Sequence, residues 1–279
     1  RDCGRTAYLV PNPEITATYT PYAAPYWAPE GWEGEHIVSV DIADVSLLPE
    51  NAKPYQERIE LAIDHHPSQG FFARNTCLEA DSAACGEIIL ELLELLGVTL
   101  TRQMAEALYL AISTDTGCFK YSNTTAHTHE AAAKLIAAGA EVYPINKAFF
   151  DTKSFARLKL EARLTDSIEL YDGGIVGLCT MPKSLLTELQ ISEDDVDSIS
   201  GFARSIEGVE IGIMIREVED GGGKISLRTS EHYNASELCK ALGGGGHAAA
   251  AGATVPGGIT GARHAILSLL AQRGIIRER

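Results

Sequence analysis

Apolar positions along the chain fall into two patterns, short runs and helically spaced stripes, and their alternation outlines the fold. HIVSVDI (36–42) is an apolar run ending on Asp41 with Asp44 beyond it, and RIELAIDHH (58–66) repeats that arrangement. Runs of this kind read as buried parallel strands with polar groups at their C-terminal ends. In DSAACGEIILELLELLG (81–97) the apolar positions 88, 89, 92, 93, 95 and 96 are helically spaced, with a Ser/Asp start and Gly97 as a stop. TRQMAEALYLAISTDTGCF (101–119) predicts a helix whose end carries Asp115, and another follows from about 127 to 138, capped by the Ser/Thr cluster at 122–125. The opening segment reads as the tail of a helix leading into a strand, TAYLV.

DTKSFARLKLEARL (151–164) is charged and helical in period, and reads as a connecting helix. IELYDGGIVGLCTM (168–181) predicts a hairpin about Asp172-Gly173-Gly174. A helical stretch near 183–206, two strands about a turn in VEIGIMIREVEDGGGKISLRTS (209–230) and a final helix near 261–273 complete the pattern. The expected architecture is therefore α/β. A domain with a mostly parallel sheet flanked by helices occupies residues 1–150, a helical linker 151–165, and a smaller α/β domain 166–279. In open α/β sheets ligands gather beyond the carboxyl ends of the strands, so Asp41 and the DHH group are expected to converge.

A chain of 279 residues, 45% hydrophobic, has enough material for two ordinary domains. With 23 basic and 38 acidic residues its formal charge is −15, which argues against a broad surface for long duplex nucleic acid. Cysteines 3, 77, 85, 118, 179 and 239 show neither CxxC pairing nor the spacing of a disulfide scaffold, so reduced thiols and a cytoplasmic location are expected. No apolar run reaches 18 residues, so no membrane span is expected. The first residues, RDCGRTAYLVPNPE, lack Met and a signal-peptide pattern, and read as a chain entered midway.

In AIDHHPS (62–68), strand alternation would place Asp64 and His66 on one side and His65 on the other, one histidine serving a metal while its neighbour faces a ligand. Carboxylates and imidazoles suit Mn²⁺ or Mg²⁺. Two such ions, about 3.5 to 4 Å apart, can hold a hydroxide and a phosphoryl oxygen together, so Asp41, His65, His66 and Asp115 jointly point to phosphoester hydrolysis. Each alone has a plainer reading: a satisfied histidine pair in a turn, a capping aspartate, a loop stabiliser. GGGGHAAAAG (243–252) lets backbone amides approach an anion, and the alanines after His247 would let a helix pack tightly on what lies beneath. Arg228, in ISLRTS, offers either a planar fork for phosphate or an ordinary surface charge.

VDIAD (40–44), DHH (64–66), STDTGCFKYSNTT (113–125), SLRTS and GGGGHAAAAG, in this order over nearly the whole chain, resemble the DHH/DHHA1 phosphoesterases, most closely the nanoRNase/pAp phosphatase branch. The resemblance implies a two-domain manganese enzyme whose smaller C-terminal domain closes over the substrate. By position, Asp41 would bridge both metals, with His65 and Asp115 as further ligands; His66 would face the scissile phosphate and Asp64 would fix an imidazole tautomer. Arg228, Gly244, Gly245, Gly246 and His247 would hold the nucleotide, and metal-bound hydroxide would attack phosphorus in line. Short oligoribonucleotides and 3′-phosphoadenosine 5′-phosphate are the implied substrates, with a homodimer as the implied assembly. Two alternatives stand beside this reading: a phosphodiesterase of signalling dinucleotides, and a non-catalytic nucleotide-binding member. The second draws on a departure, since the family's early HxxPDxD motif has no counterpart here. Truncation is the favoured explanation, with a weakened sheet edge and poor metal occupancy expected of this chain.

Overall fold

The computed structural model describes residues 4–191, 196, 199–218 and 221–277. They form two compact units, Arg1–Thr152 and Lys153–Arg279. The first holds a three-stranded, wholly parallel sheet in the order β1 (Ile37–Val40), β2 (Ile59–Asp64), β3 (Asn75–Leu78). β2 is central, and its faces bury different partners. Ile63 packs on Cys85 and Ile88, whereas Ile59 packs on Leu48 and Ala52. Sequence reading did not anticipate β3, because NTCL carries neither alternation nor an apolar run.

Helices Cys85–Leu95, Arg102–Asp115 and Ala126–Ala137 share a core through Leu90, Leu108, Ile112 and Leu135. The second begins where the Thr101 hydroxyl accepts from the Met104 amide at 3.2 Å. A reciprocal Thr125–Thr128 capping box starts the third, as the Ser/Thr cluster suggests. The first departs from expectation. Ala84 is its N-cap, and the Glu87 carboxylate, not the Ser/Asp start, accepts from the nearby Ala83 amide at 2.9 Å. Leu95 and Leu96 lie off its buried face, at 84% and 67% exposure. TAYLV makes no strand either; Leu9 forms one isolated bridge to Trp27.

The second unit is built on a six-stranded mixed sheet in the order β4-β5-β6-β7-β9-β8. Its strands are β4 (Glu169–Tyr171), β5 (Val176–Met181), β6 (Ile211–Glu217), β7 (Gly223–Thr229), β8 (Gly245–Gly246) and β9 (Ala250–Val255). The β5–β6 pair is parallel and the other pairs are antiparallel, including the two hairpins read from the sequence. One face, with Leu178, Ile211, Ile213, Ile225 and Leu227, packs on Leu238 of the helix Ala235–Ala241 and Ile266 and Leu270 of the helix Gly258–Gln272. The other, with Cys179, Met181 and Met214, packs on Leu160 and Leu164 of the helix Phe155–Asp166 and Leu185 of the helix Lys183–Leu189. The expected connector is thus largely a core helix of this unit. Of the helical stretch expected at 183–206, Lys183–Leu189 is α-helical and Ile199–Ser205 is a 3-10 turn; positions 192–195, 197 and 198 lie outside the described residues.

The alanines after His247 require a correction. Ala250 and Ala251 open β9, a strand, and Ala248 and Ala249 form the bend before it, where a tightly packed helix was expected. Alanine prefers a helix by propensity, but here the unpaired edge of β7 offers a complete hydrogen-bond ladder, and tertiary pairing wins. Smallness still matters, since Ala251 and Ala253 are buried in the helix-covered core.

A Cβ at Gly223 would collide with the carbonyl of Gly258 and with Ala262, so the last helix is seated directly on β7. Gly223→Val is expected to cost about 1–3 kcal/mol by overpacking. Thermal unfolding checks this, and an unchanged Tm would show that the helix yields freely.

Candidate metal centre

β2 ends on Asp64, whose side chain is fully buried. A buried carboxylate must find donors, and this one collects four. Its Oδ1 accepts from the amides of His65 at 2.7 Å and His66 at 3.2 Å and from His66 Nδ1 at 2.7 Å, while its Oδ2 accepts from Gln69 Nε2. Burial pushes the Asp64 pKa upward, but the hydrogen bonds from His66 and the two amides together hold it below the usual carboxylate value. Wrapping the backbone about Asp64 ends the strand, so the expected alternation fails. The imidazoles of His65 and His66 meet edge to face, centroids 4.5 Å apart, and both approach Asp41 Oδ1, at 3.4 and 3.8 Å.

Asp41 follows β1 with φ +62°, a left-handed conformation that is unfavourable for a non-glycine residue and typical of functional sites. Its amide extends the ladder by donating to the Ile63 carbonyl at 2.9 Å, which places its half-exposed carboxylate beside the end of β2. Asp115, the last residue of its helix, brings Oδ2 to 3.3 Å from His65 Nε2. Beyond Thr116, the residues Gly117, Cys118 and Phe119 follow in succession at positive φ, a tight left-handed turn.

The tautomer of His65 follows from its partners. Nδ1 lies 3.1 Å from the Ser82 carbonyl, which can only accept, so Nδ1 carries a proton and Nε2 is aimed at the two carboxylates. The hydrogen bond to Asp41 raises the His65 pKa to about 9, against the effect of burial and with help from Ser82 and Asp115. Asp115 is raised to about 6, first by burial and then by the charge of Asp41. Carboxylates crowded about imidazoles in this way invite a cation. Asp41, Asp64, His65 and His66 each offer a donor atom, all within 4.8 Å of one another, and the oxygen and nitrogen donor set suits a divalent ion of the Mn²⁺ or Mg²⁺ type. Asp64 is already committed to four donors, which leaves Asp41, His65 and His66 of this cluster, with Asp115 beside His65 Nε2. Gln69 and Ser82 were not found from sequence; a polar residue that orients a ligand has no periodicity or spacing of its own.

The remaining expected residues belong to the second unit. Arg228 lies on β7 opposite Gly212 and Ala250, its guanidinium donating to Ser200 Oγ at 2.9 Å and to the Leu227 carbonyl at 3.0 Å. Gly244 and Gly246 have a local reason to be glycine, because a Cβ at either would strike the backbone of β9; the space at Gly245 is open. The exposed His247 sits in the β8–β9 turn, its amide donating to the Ala250 carbonyl at 2.8 Å, one residue pair from Arg228. The five described cysteines are free. Among the described residues no helix is long and apolar enough to cross a membrane.

Asp64→Ala should destabilise the first unit by about 3 kcal/mol, since it orphans buried donors. Urea denaturation of the metal-free protein measures it; a loss below about 1 kcal/mol would show that water replaces the carboxylate.

Residues 181–273 match the DHHA1 domain. The bifunctional oligoribonuclease and PAP phosphatase NrnA of Thermus thermophilus is 29% identical over 91% of this chain and 76% of its own. Its namesake in Bacillus subtilis is 25% identical, over 91% of this chain and 83% of its own. In three dimensions the chain resembles an exopolyphosphatase-related protein of Bacteroides fragilis, with TM-score 0.79 and 22% identity over 86% of this chain and 72% of that one, a likeness of fold. The DHH/DHHA1 resemblance read from the sequence is borne out.

Proposed function

We propose that this DHH/DHHA1 phosphoesterase is a manganese-dependent hydrolase of short oligoribonucleotides and 3′-phosphoadenosine 5′-phosphate. The observation that carries the reading is the convergence of Asp41 and Asp115 on His65 Nε2, with His66 held alongside by Asp64. The names of the relatives supply the substrate class.

Asp41, His65 and Asp115 would hold the metal, which when bound activates water and offsets charge on phosphoryl oxygens. His66 has its Nδ1 proton engaged by Asp64, so Nε2 is the atom left to face the scissile phosphate and to hold or deliver a proton there. Asp64 fixes that orientation in advance of substrate. In the second unit, Arg228, the glycines 244–246 and His247 would bind the nucleotide, with Arg228 supplying charge to a phosphate. A small anionic substrate suits a chain of charge −15, because local cations and metal can overcome a repulsion that a long polyanion would meet along its whole length.

The test is mononucleotide release from a dinucleotide RNA, and phosphate release from 3′-phosphoadenosine 5′-phosphate, by the full gene product with Mn²⁺ added or chelated. Both reactions are expected with metal. Nucleotide binding without turnover would leave a binding protein, and turnover of signalling dinucleotides alone would move the substrate class. His65→Ala should abolish turnover while the Tm stays near that of the parent; retained turnover would remove His65 from the metal site. Arg228→Ala should raise KM for a phosphate-bearing substrate about tenfold, and an unaltered KM would return Arg228 to a structural role.

A further inference from the structure

The orientation of His65 depends on a peptide seventeen residues away in the chain. The Ser82 carbonyl that accepts from His65 Nδ1 belongs to the Ser82–Ala83 segment. Ala83 is gripped on both sides. Its amide donates to Glu87 Oε2 at 2.9 Å, and its carbonyl accepts from Asn123 Nδ2 at 3.0 Å. The same Nδ2 donates to the Asp115 carbonyl at 3.2 Å. Both partners of Asn123 are carbonyls, so its amide must point its NH₂ group at them. One side-chain amide therefore joins the segment that orients His65 to the residue that carries the facing acid.

Glu87 adds a second sign. It is 1% exposed, and its Oε1 has no hydrogen-bond partner among the described residues. Burying a carboxylate with an unsatisfied oxygen is costly, and the first turn of a helix could be capped by a neutral side chain for less.

We propose that Asn123 and Glu87 are positioning residues which clamp the Ser82–Ala83 peptide, hold His65 with Nε2 toward Asp41 and Asp115, and set Asp115 in register with it. The inference rests on the proposed metal site and names the side chains that shape it. The physical logic is that of outer hydrogen bonds around a metal: they fix the ring and its tautomer before the ion arrives, so their loss is felt as weakened metal affinity.

The experiment uses the whole protein and three variants, Asn123→Ala, Glu87→Ala and Glu87→Gln. Mn²⁺ dissociation constants come from the paramagnetic resonance signal of the free ion. The proton position on His65 comes from ring ¹⁵N shifts of the metal-free protein, followed with pH until the ring is neutral. Both alanine variants are expected to weaken Mn²⁺ binding about tenfold to a hundredfold while remaining folded at the assay temperature. Turnover should recover as Mn²⁺ approaches saturation, with KM for the dinucleotide unaffected. Glu87→Gln keeps an acceptor for the Ala83 amide and should bind Mn²⁺ within about threefold of the parent. The parent ring should carry its proton on Nδ1, and the alanine variants should lose that preference. Parental Mn²⁺ affinity and an unchanged ring in both alanine variants would overturn the clamp. A parent protein that binds no Mn²⁺ would instead defeat the metal reading. The ring shifts would still decide the clamp, which an unchanged ring in both alanine variants would then overturn.

Discussion

The burial of one charged group, the Asp64 carboxylate at the end of the central strand, is the constraint on which the first unit's site depends. A carboxylate excluded from water must be met by donors, and the nearest are the amides of the next two residues. Bending the chain to supply them terminates β2 and swings both histidines to one side. Gln69 extends the effect, because its amide reaches Asp64 and also donates to the Ile42 carbonyl at 2.9 Å. The ends of β1 and β2 are thereby tied together, and Asp41 lies beside the imidazoles as a consequence of the fold.

The result is a site held in an unfavourable state. Asp41 adopts a left-handed backbone, residues 117–119 do the same, burial and then the charge of Asp41 push the Asp115 pKa upward, and the hydrogen bond to Asp41 makes His65 hold its proton more tightly. None of these features contributes to stability. Packing of Ile59 and Ile63 on opposite faces of β2, and of the three helices on one another, supplies the rigidity that holds them. A divalent cation would relieve the crowding, replacing a shared proton with a charge that the oxygen and nitrogen donors satisfy together.

In the second unit the tension is between propensity and pairing. Glycine and alanine are weak strand formers, yet β8 and β9 are made of little else, because their backbones approach one another and the helices above too closely for larger side chains. The glycine run thus serves the sheet first. Of Gly244, Gly245 and Gly246, Gly245 alone has open space for a side chain, and His247 is exposed in the turn that follows.

By itself the sequence determined the α/β class, the long helices and most strands, because apolar spacing and capping residues are local signals that survive folding. It also identified Asp41, Asp64, His65, His66 and Asp115 as residues of interest, because acids and histidines appear together at the ends of successive core elements. The short strand β3, the strand conformation of the alanine run and the core role of the helix expected as a connector were decided by tertiary contacts, which pair edges and bury faces without regard to propensity. The same holds within the site. That His65 and His66 share a side, and that Ser82, Gln69, Asn123 and Glu87 surround them, depends on where a buried carboxylate finds its donors. That is a question of three-dimensional solvation, and linear order carries no record of its answer.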